Sequence, residues 1–193
     1  CMSMGMLNEA AFHFRESLRI APSYIQANYG MGAVLISKGL YSEAIPYYAR
    51  VIKEKPNDAP VYFNIGYALA GLNRFDEAEK YYRMAIYYNP ENASFHNNLG
   101  VLYNRQGKKE EAISSFQKVL KINPDHAGAH NNLAMILIAQ GRHEEAISHF
   151  KEAVRIQPDY ANAHYHLGLA LRSKGLSDEA ESHIRMAIKI NPE

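Results

Sequence analysis

The sequence predicts an all-α fold built from a repeated pair of antiparallel helices, and three observations carry that prediction. Six of the eight prolines fall at a fixed interval of 34 residues: Pro22, Pro56, Pro90, Pro124, Pro158 and Pro192. A period of this length marks an architecture in which each unit buries its apolar face against its neighbours. With that proline set at position 32, position 20 is alanine six times: Ala10, Ala44, Ala78, Ala112, Ala146 and Ala180. Position 8 is small (Gly32, Gly66, Gly100, Ala134, Gly168), whereas position 24 is large (Phe14, Tyr48, Tyr82, Phe116, Phe150, Ile184). Small residues let two helices approach, and large ones fill the gaps beside them.

This phase divides the chain into residues 1–24, the end of a truncated repeat with a second helix at about 8–20, and repeats at 25–58, 59–92, 93–126, 127–160 and 161–193. Each repeat reads in the same order. Its first helix shows apolar residues at helical spacing, as in Leu99, Leu102 and Tyr103. A turn follows at Gly5, Gly39, Gly107, Gly141 and Gly175, with Asn73 in the same slot once; both residue types suit a left-handed C-cap. The second helix opens on acids, as in Glu111-Ala112-Ile113, which complement the helix dipole. The position-32 proline closes it, because proline cannot continue a helix. Pro60 begins a first helix, where it is tolerated. Pro46 lies about one turn into a second helix and is expected to distort it mildly.

Composition excludes several function classes. The 193 residues are 47% apolar and 21% charged, with 21 basic against 20 acidic side chains and a net charge of +1. The even balance argues against a polyanion-binding surface, and the basic residues are interleaved with acids, so no nucleic-acid stripe forms. The single cysteine, Cys1, precludes an internal disulfide or a cysteine-based zinc cluster. The longest purely apolar stretch, Leu133 to Ala139, is far too short to cross a membrane. Cys1 to Gly5 has no signal-peptide character, so a cytoplasmic location is expected. No phosphate loop, nucleophile elbow or zincin motif occurs, and a non-catalytic chain is expected. His96, His130 and His164 recur once per repeat at position 4, without carboxylate or cysteine at ligand spacing. They read as packed imidazoles, with no metal and no cofactor.

The pattern of a small residue at 8, alanine at 20, an aromatic at 24 and proline at 32 resembles the tetratricopeptide repeat family, over the whole chain. The family's tryptophan at position 4 is replaced by Asn28, Tyr62, His96, His130 and His164. The wording His96-Asn97-Asn98-Leu99-Gly100 is similar to the repeats of O-linked GlcNAc transferases and related bacterial and archaeal solenoids. The resemblance implies a right-handed superhelical solenoid, with first helices on the concave face and second helices on the convex one. It also implies a protein–protein interaction scaffold. Chaperone-binding members of the family use lysine at position 5 and asparagine at position 9. Here neither column holds a lysine, so a carboxylate clamp is not expected.

Positions 2, 5, 6, 9, 12 and 13 of a first helix share one stripe. Across five repeats only Arg105 and Arg172 in that stripe are charged, against about six expected from the overall composition. A face with so little charge is expected to contact a partner. A competing reading is structural: Gly30, Ala33, Gly71, Gly128 and Ala139 permit tight curvature, and Ile36, Val101 and Ile138 pack inward. Position 6 carries Asn64, Asn98 and Asn132 in successive repeats, flanked by Gly30 and His166. An amide both donates and accepts, so it suits the backbone of an extended peptide irrespective of sequence. At about 10 Å between helices and about 3.3 Å per extended residue, each rung would meet about every third peptide residue. The run matches the asparagine ladder of the O-GlcNAc transferase solenoid by residue type and position. Alternatively, the asparagines bond to the neighbouring repeat and fix its pitch. Tyr29, Phe63, Tyr67 and Tyr165 are the candidate side-chain pockets, and Asn97, Asn104, Asn131, Arg105, Arg172 and His166 the polar contacts.

Three functions compete at this point. One is a scaffold that holds an extended segment of a partner protein. Another is the substrate-recognition region of a larger glycosyltransferase. The third is a self-associating solenoid, suggested by the apolar Ile184, Ile188 and Ile190 at an uncapped end.

Overall fold

The computed structural model describes residues 4–192. Cys1, on which the disulfide argument rests, and most of the Cys1–Gly5 stretch lie outside the described residues. The described chain is eleven α-helices, with no strand among them. They are α1 (Met4–Ile20), α2 (Ile25–Ser37), α3 (Tyr41–Glu54), α4 (Ala59–Gly71), α5 (Phe75–Tyr88), α6 (Ala93–Arg105), α7 (Lys109–Ile122), α8 (Ala127–Ala139), α9 (His143–Ile156), α10 (Ala161–Ser173) and α11 (Ser177–Ile190). Two compact units are present, one ending at Leu102 and the other beginning at Tyr103. In the first, α1 packs on α2, α2 on α3, α3 on α4 and α4 on α5. In the second, α7 packs on α8, and the chain of neighbours continues through α9 and α10 to α11.

The turns follow from backbone geometry. Gly39, Gly107, Gly141 and Gly175 have φ of 74°, 77°, 75° and 78°, and Asn73 has 60°. A Cβ at any of the four glycines would meet nothing within 4 Å, so φ and not space demands glycine there. The left-handed residue lets the next amide reach back across the helix end. Leu40 N donates to Leu35 O at 2.9 Å, and Arg142 N to Leu137 O at 2.9 Å. These are the bonds of a Schellman cap. Second helices carry acids in their first turns, among them Glu110 and Glu111 in α7 and Glu144 and Glu145 in α9.

Close approach within each pair is equally specific. A Cβ on Gly32 would lie 2.7 Å from the Tyr48 ring, and one on Gly66 2.8 Å from the Tyr82 ring. One on Gly168 would lie 2.6 Å from Ile184 Cγ1. Position 8 is small because position 24 occupies the space. The alanines at position 20 (Ala44, Ala78, Ala112, Ala146) are wholly buried in the same contact.

The variable position 4 has one common role. Asn28 Nδ2 donates to Pro22 O at 2.9 Å and Tyr62 Oη to Pro56 O at 2.9 Å. The Nε2 atoms of His96, His130 and His164 lie 2.8, 3.0 and 3.1 Å from the carbonyls of Pro90, Pro124 and Pro158. A carbonyl only accepts, so each histidine carries its proton on Nε2. Asparagine, tyrosine and histidine are interchangeable here as hydrogen-bond donors. In the second unit a further bond follows: His130 Nδ1 lies 2.9 Å from His149 Nδ1, and His164 Nδ1 lies 2.9 Å from His183 Nδ1. With Nε2 protonated, His130 and His164 accept at Nδ1, so His149 and His183 donate from theirs. Burial and the facing imidazole push both donors below the usual histidine range. Among the described residues no group of three or more histidine, cysteine or carboxylate side chains is placed to hold a metal ion.

One expectation needs adjustment. Gly5 is helical, and the helix expected from about residue 8 runs over Met4–Ile20. No first helix precedes α1 among the described residues, so there is no helix end for Gly5 to cap, and helical bonding continues through it. Pro46 sits inside α3, which is unbroken over Tyr41–Glu54. Among the described residues no helix is long and apolar enough to cross a membrane.

Candidate peptide-binding face

In the first unit the face is built by α2, α4 and the larger part of α6. Tyr29 and Tyr67 stand 37% and 42% exposed, which is high for large aromatics in a packed repeat. Each is steadied from below, Tyr29 edge-on to Tyr48 at 5.7 Å and Tyr67 edge-on to Tyr41 at 6.1 Å. Burial also pushes the Tyr48 hydroxyl well above the usual tyrosine range, with Tyr29 contributing. Phe63 behaves differently. It stacks on Phe95 at 4.9 Å and packs against the buried cluster of Ala59, Tyr62 and Ala85. It is half-buried.

The amides differ from rung to rung. Asn64 Nδ2 donates to the Tyr29 hydroxyl at 3.4 Å, a long bond to the preceding repeat. Asn98 Nδ2 donates to Ser94 O of its own helix at 2.9 Å. Both side chains are half-buried and keep an acceptor oxygen. Asn97 is half-buried, with its Oδ1 enclosed and without a hydrogen-bond partner. Two small residues of the stripe have a packing reason. A Cβ on Gly30 would lie 2.2 Å from the Phe14 ring, and one on Gly71 2.6 Å from the Tyr41 ring.

In the second unit Asn132 is half-buried and makes no side-chain hydrogen bond within its unit. Asn131 is only 7% exposed, and its Oδ1 has no partner. It lies beneath the face and not on it. Asn104 Oδ1 accepts from Lys109 Nζ at 2.7 Å. Arg105 and Arg172 are exposed, as is Tyr165 at 47%. His166 stacks on Phe150 at 5.9 Å and meets the Tyr165 ring edge-on at 5.4 Å. Its burial holds the imidazole below the usual histidine range and favours the uncharged ring.

A pocket of about 180 Å³ opens beside His166, between α8, α9 and α10. Met135, Ile138 and Leu169 form apolar walls, and His143 and Phe150 come from α9. His143 Nδ1 is buried with no hydrogen-bond partner. Of these residues only His166 is a candidate on sequence grounds. The others sit at positions 9, 12, 17 and 24, and their convergence depends on how a second helix leans over two first helices.

Family models described as tetratricopeptide repeats match residues 2–62, 63–127, 115–148 and 161–193, and one described as a TPR repeat matches 135–175. No curated protein matches the chain. Among solved structures, one of MamA has a TM-score of 0.74 at 25% identity, covering 84% of this chain and 95% of that one. YrrB, described as a TPR protein with an unusual peptide-binding site, has a TM-score of 0.71 at 21% identity, covering 95% of each chain. The Cut9–Hcn1 assembly of APC/C gives 0.80 at 20% identity, covering 98% of this chain and 38% of that one.

Proposed function

Since the chain belongs to the tetratricopeptide repeat family, we propose that it is a non-catalytic scaffold whose first-helix face binds an extended segment of a protein partner. One observation carries the reading: first helices expose Tyr29 and Tyr67 in the first unit and Tyr165 in the second, beside half-buried asparagines, and Arg105 and Arg172 are the sole charges at the stripe positions. Exposed aromatic rings supply contact area at low entropic cost. The side-chain amides of Asn64, Asn98 and Asn132 supply donors and acceptors for a peptide backbone, one rung per repeat. Asn64 and Asn98 are held by weak or local bonds that a peptide would exchange at little cost. The peptide-binding site named for YrrB is a property of that protein, and it adds a precedent within the fold.

A peptide array probed with the wild-type chain and with an Asn64→Ala, Asn98→Ala, Asn132→Ala variant tests the reading. The wild type is expected to select peptides that the variant loses. Equal retention would sink the asparagine role. A second reading, self-association, is favoured by Met186 and Ile188 on α11, which are 41% and 59% exposed. Light scattering across a concentration series decides it: a mass that does not rise with concentration removes it.

A further inference from the structure

Resting on the peptide-binding reading, we propose that the pocket between α8, α9 and α10 receives one tyrosine side chain of the bound segment. Its size comes first. At about 180 Å³ the pocket slightly exceeds the roughly 150 Å³ of an apolar cavity that accommodates benzene. One six-membered ring with a hydroxyl fits. Its chemistry comes next. Met135, Ile138 and Leu169 offer aliphatic walls, and no carboxylate, lysine or arginine lines it. A charged occupant would therefore lose its hydration without a counter-charge.

A plain hydrocarbon ring would leave something unsatisfied. His143 lines the pocket, and its Nδ1 is enclosed with no partner in the protein. Buried polar atoms of this kind are rare, and a ligand that supplies the missing bond gains where its deoxy analogue does not. A phenol hydroxyl both donates and accepts, so it satisfies the imidazole in either tautomer.

The chain itself shows what suits this slot. His143 stands at position 17, and Leu169 and Ser173 at positions 9 and 13 of the following repeat. In the first unit the same three positions are Tyr41, Tyr67 and Gly71. There the Tyr41 ring lies against Tyr67 at 6.1 Å, so close to Gly71 that a Cβ would come within 2.6 Å of it. A tyrosine ring covers the slot from within the molecule. In the second unit the shorter histidine leaves it open, and the hydroxylated ring comes from the partner.

The test uses p-cresol, the tyrosine side chain as a free molecule, titrated into the whole chain while the Met135 methyl is followed by NMR. A saturable shift is expected, with toluene binding about fivefold more weakly for want of one neutral hydrogen bond. The double variant His143→Tyr, Ser173→Gly reproduces the closed slot and is expected to lose the cresol response. Absence of a saturable shift at Met135, or toluene binding as well as cresol, overturns the proposal, and both readouts need only the wild type. A peptide array without binders removes the groove reading separately and leaves the cresol titration to decide the pocket. With an array-selected tyrosine peptide, Tyr→Phe in the peptide is expected to cost about fivefold.

Discussion

Acid is expected to loosen the second unit specifically, through its two histidine pairs. In each pair a neutral His149 or His183 donates across 2.9 Å to an imidazole whose other nitrogen is held by a proline carbonyl. The donor's pKa is lowered by burial first and by the facing histidine second; Glu145 and Glu152 oppose this at His149, as Glu179 does at His183. Because the folded-state value lies below the unfolded one of about 6.5, the unfolded chain takes up protons first. The contribution is thus present above about pH 6.5 and is lost as pH falls. Charging either donor leaves its N–H···N bond in place but puts an imidazolium into a partly buried site against the facing ring, at a cost of about 1 kcal/mol per pair. Two pairs give about 2 kcal/mol, or a fall of about 4–8 °C in midpoint for a chain of this size. Thermal unfolding by circular dichroism between about pH 7.5 and about pH 5 measures it. His149→Gln with His183→Gln keeps a neutral donor and is expected to reduce the dependence to the smaller part that the buried His166 contributes. Hydrogen exchange is expected to place the loss in α8–α11. An unchanged wild-type midpoint, or an equal fall in the glutamine variant, would refute the reasoning.

Other substitutions test the packing and the face. Tyr62→Phe removes the donor to Pro56 O and is expected to cost about 1 kcal/mol in urea unfolding. Gly168→Ala forces a Cβ to within 2.9 Å of the Ala180 carbonyl, a backbone atom with little freedom to move. A loss of about 1–3 kcal/mol is expected, against about 1 kcal/mol for Gly107→Ala, where only φ is strained. The triple asparagine variant is expected to bind an array-selected peptide about a hundredfold more weakly by fluorescence anisotropy, at about 1 kcal/mol per rung.

Periodicity made the helix pairs and their caps legible, because each depends on residues close in sequence. The proline interval, the left-handed glycines and the Gly–aromatic columns at 8 and 24 are all of this kind. Position 4 was legible only as a packed column. That Asn28, Tyr62 and three histidines share a carbonyl acceptor depends on a proline six residues back, lying across the turn. Asn131 belongs to the exposed stripe by helical geometry, yet neighbouring side chains bury it. The pocket was invisible for a similar reason: Met135, His143 and Leu169 come from three different helices, and its opening depends on a histidine where Tyr41 stands in the first unit.

The central claim, that partners lie along the first helices, is tested most directly by site-specific photo-crosslinking. A benzophenone side chain placed at Val101 or Met135, both exposed on first helices, is expected to capture an array-selected peptide. The same group at Ser114 or Ser182, exposed on second helices, is expected to capture none. Crosslinks from the second-helix positions with none from the first would contradict it.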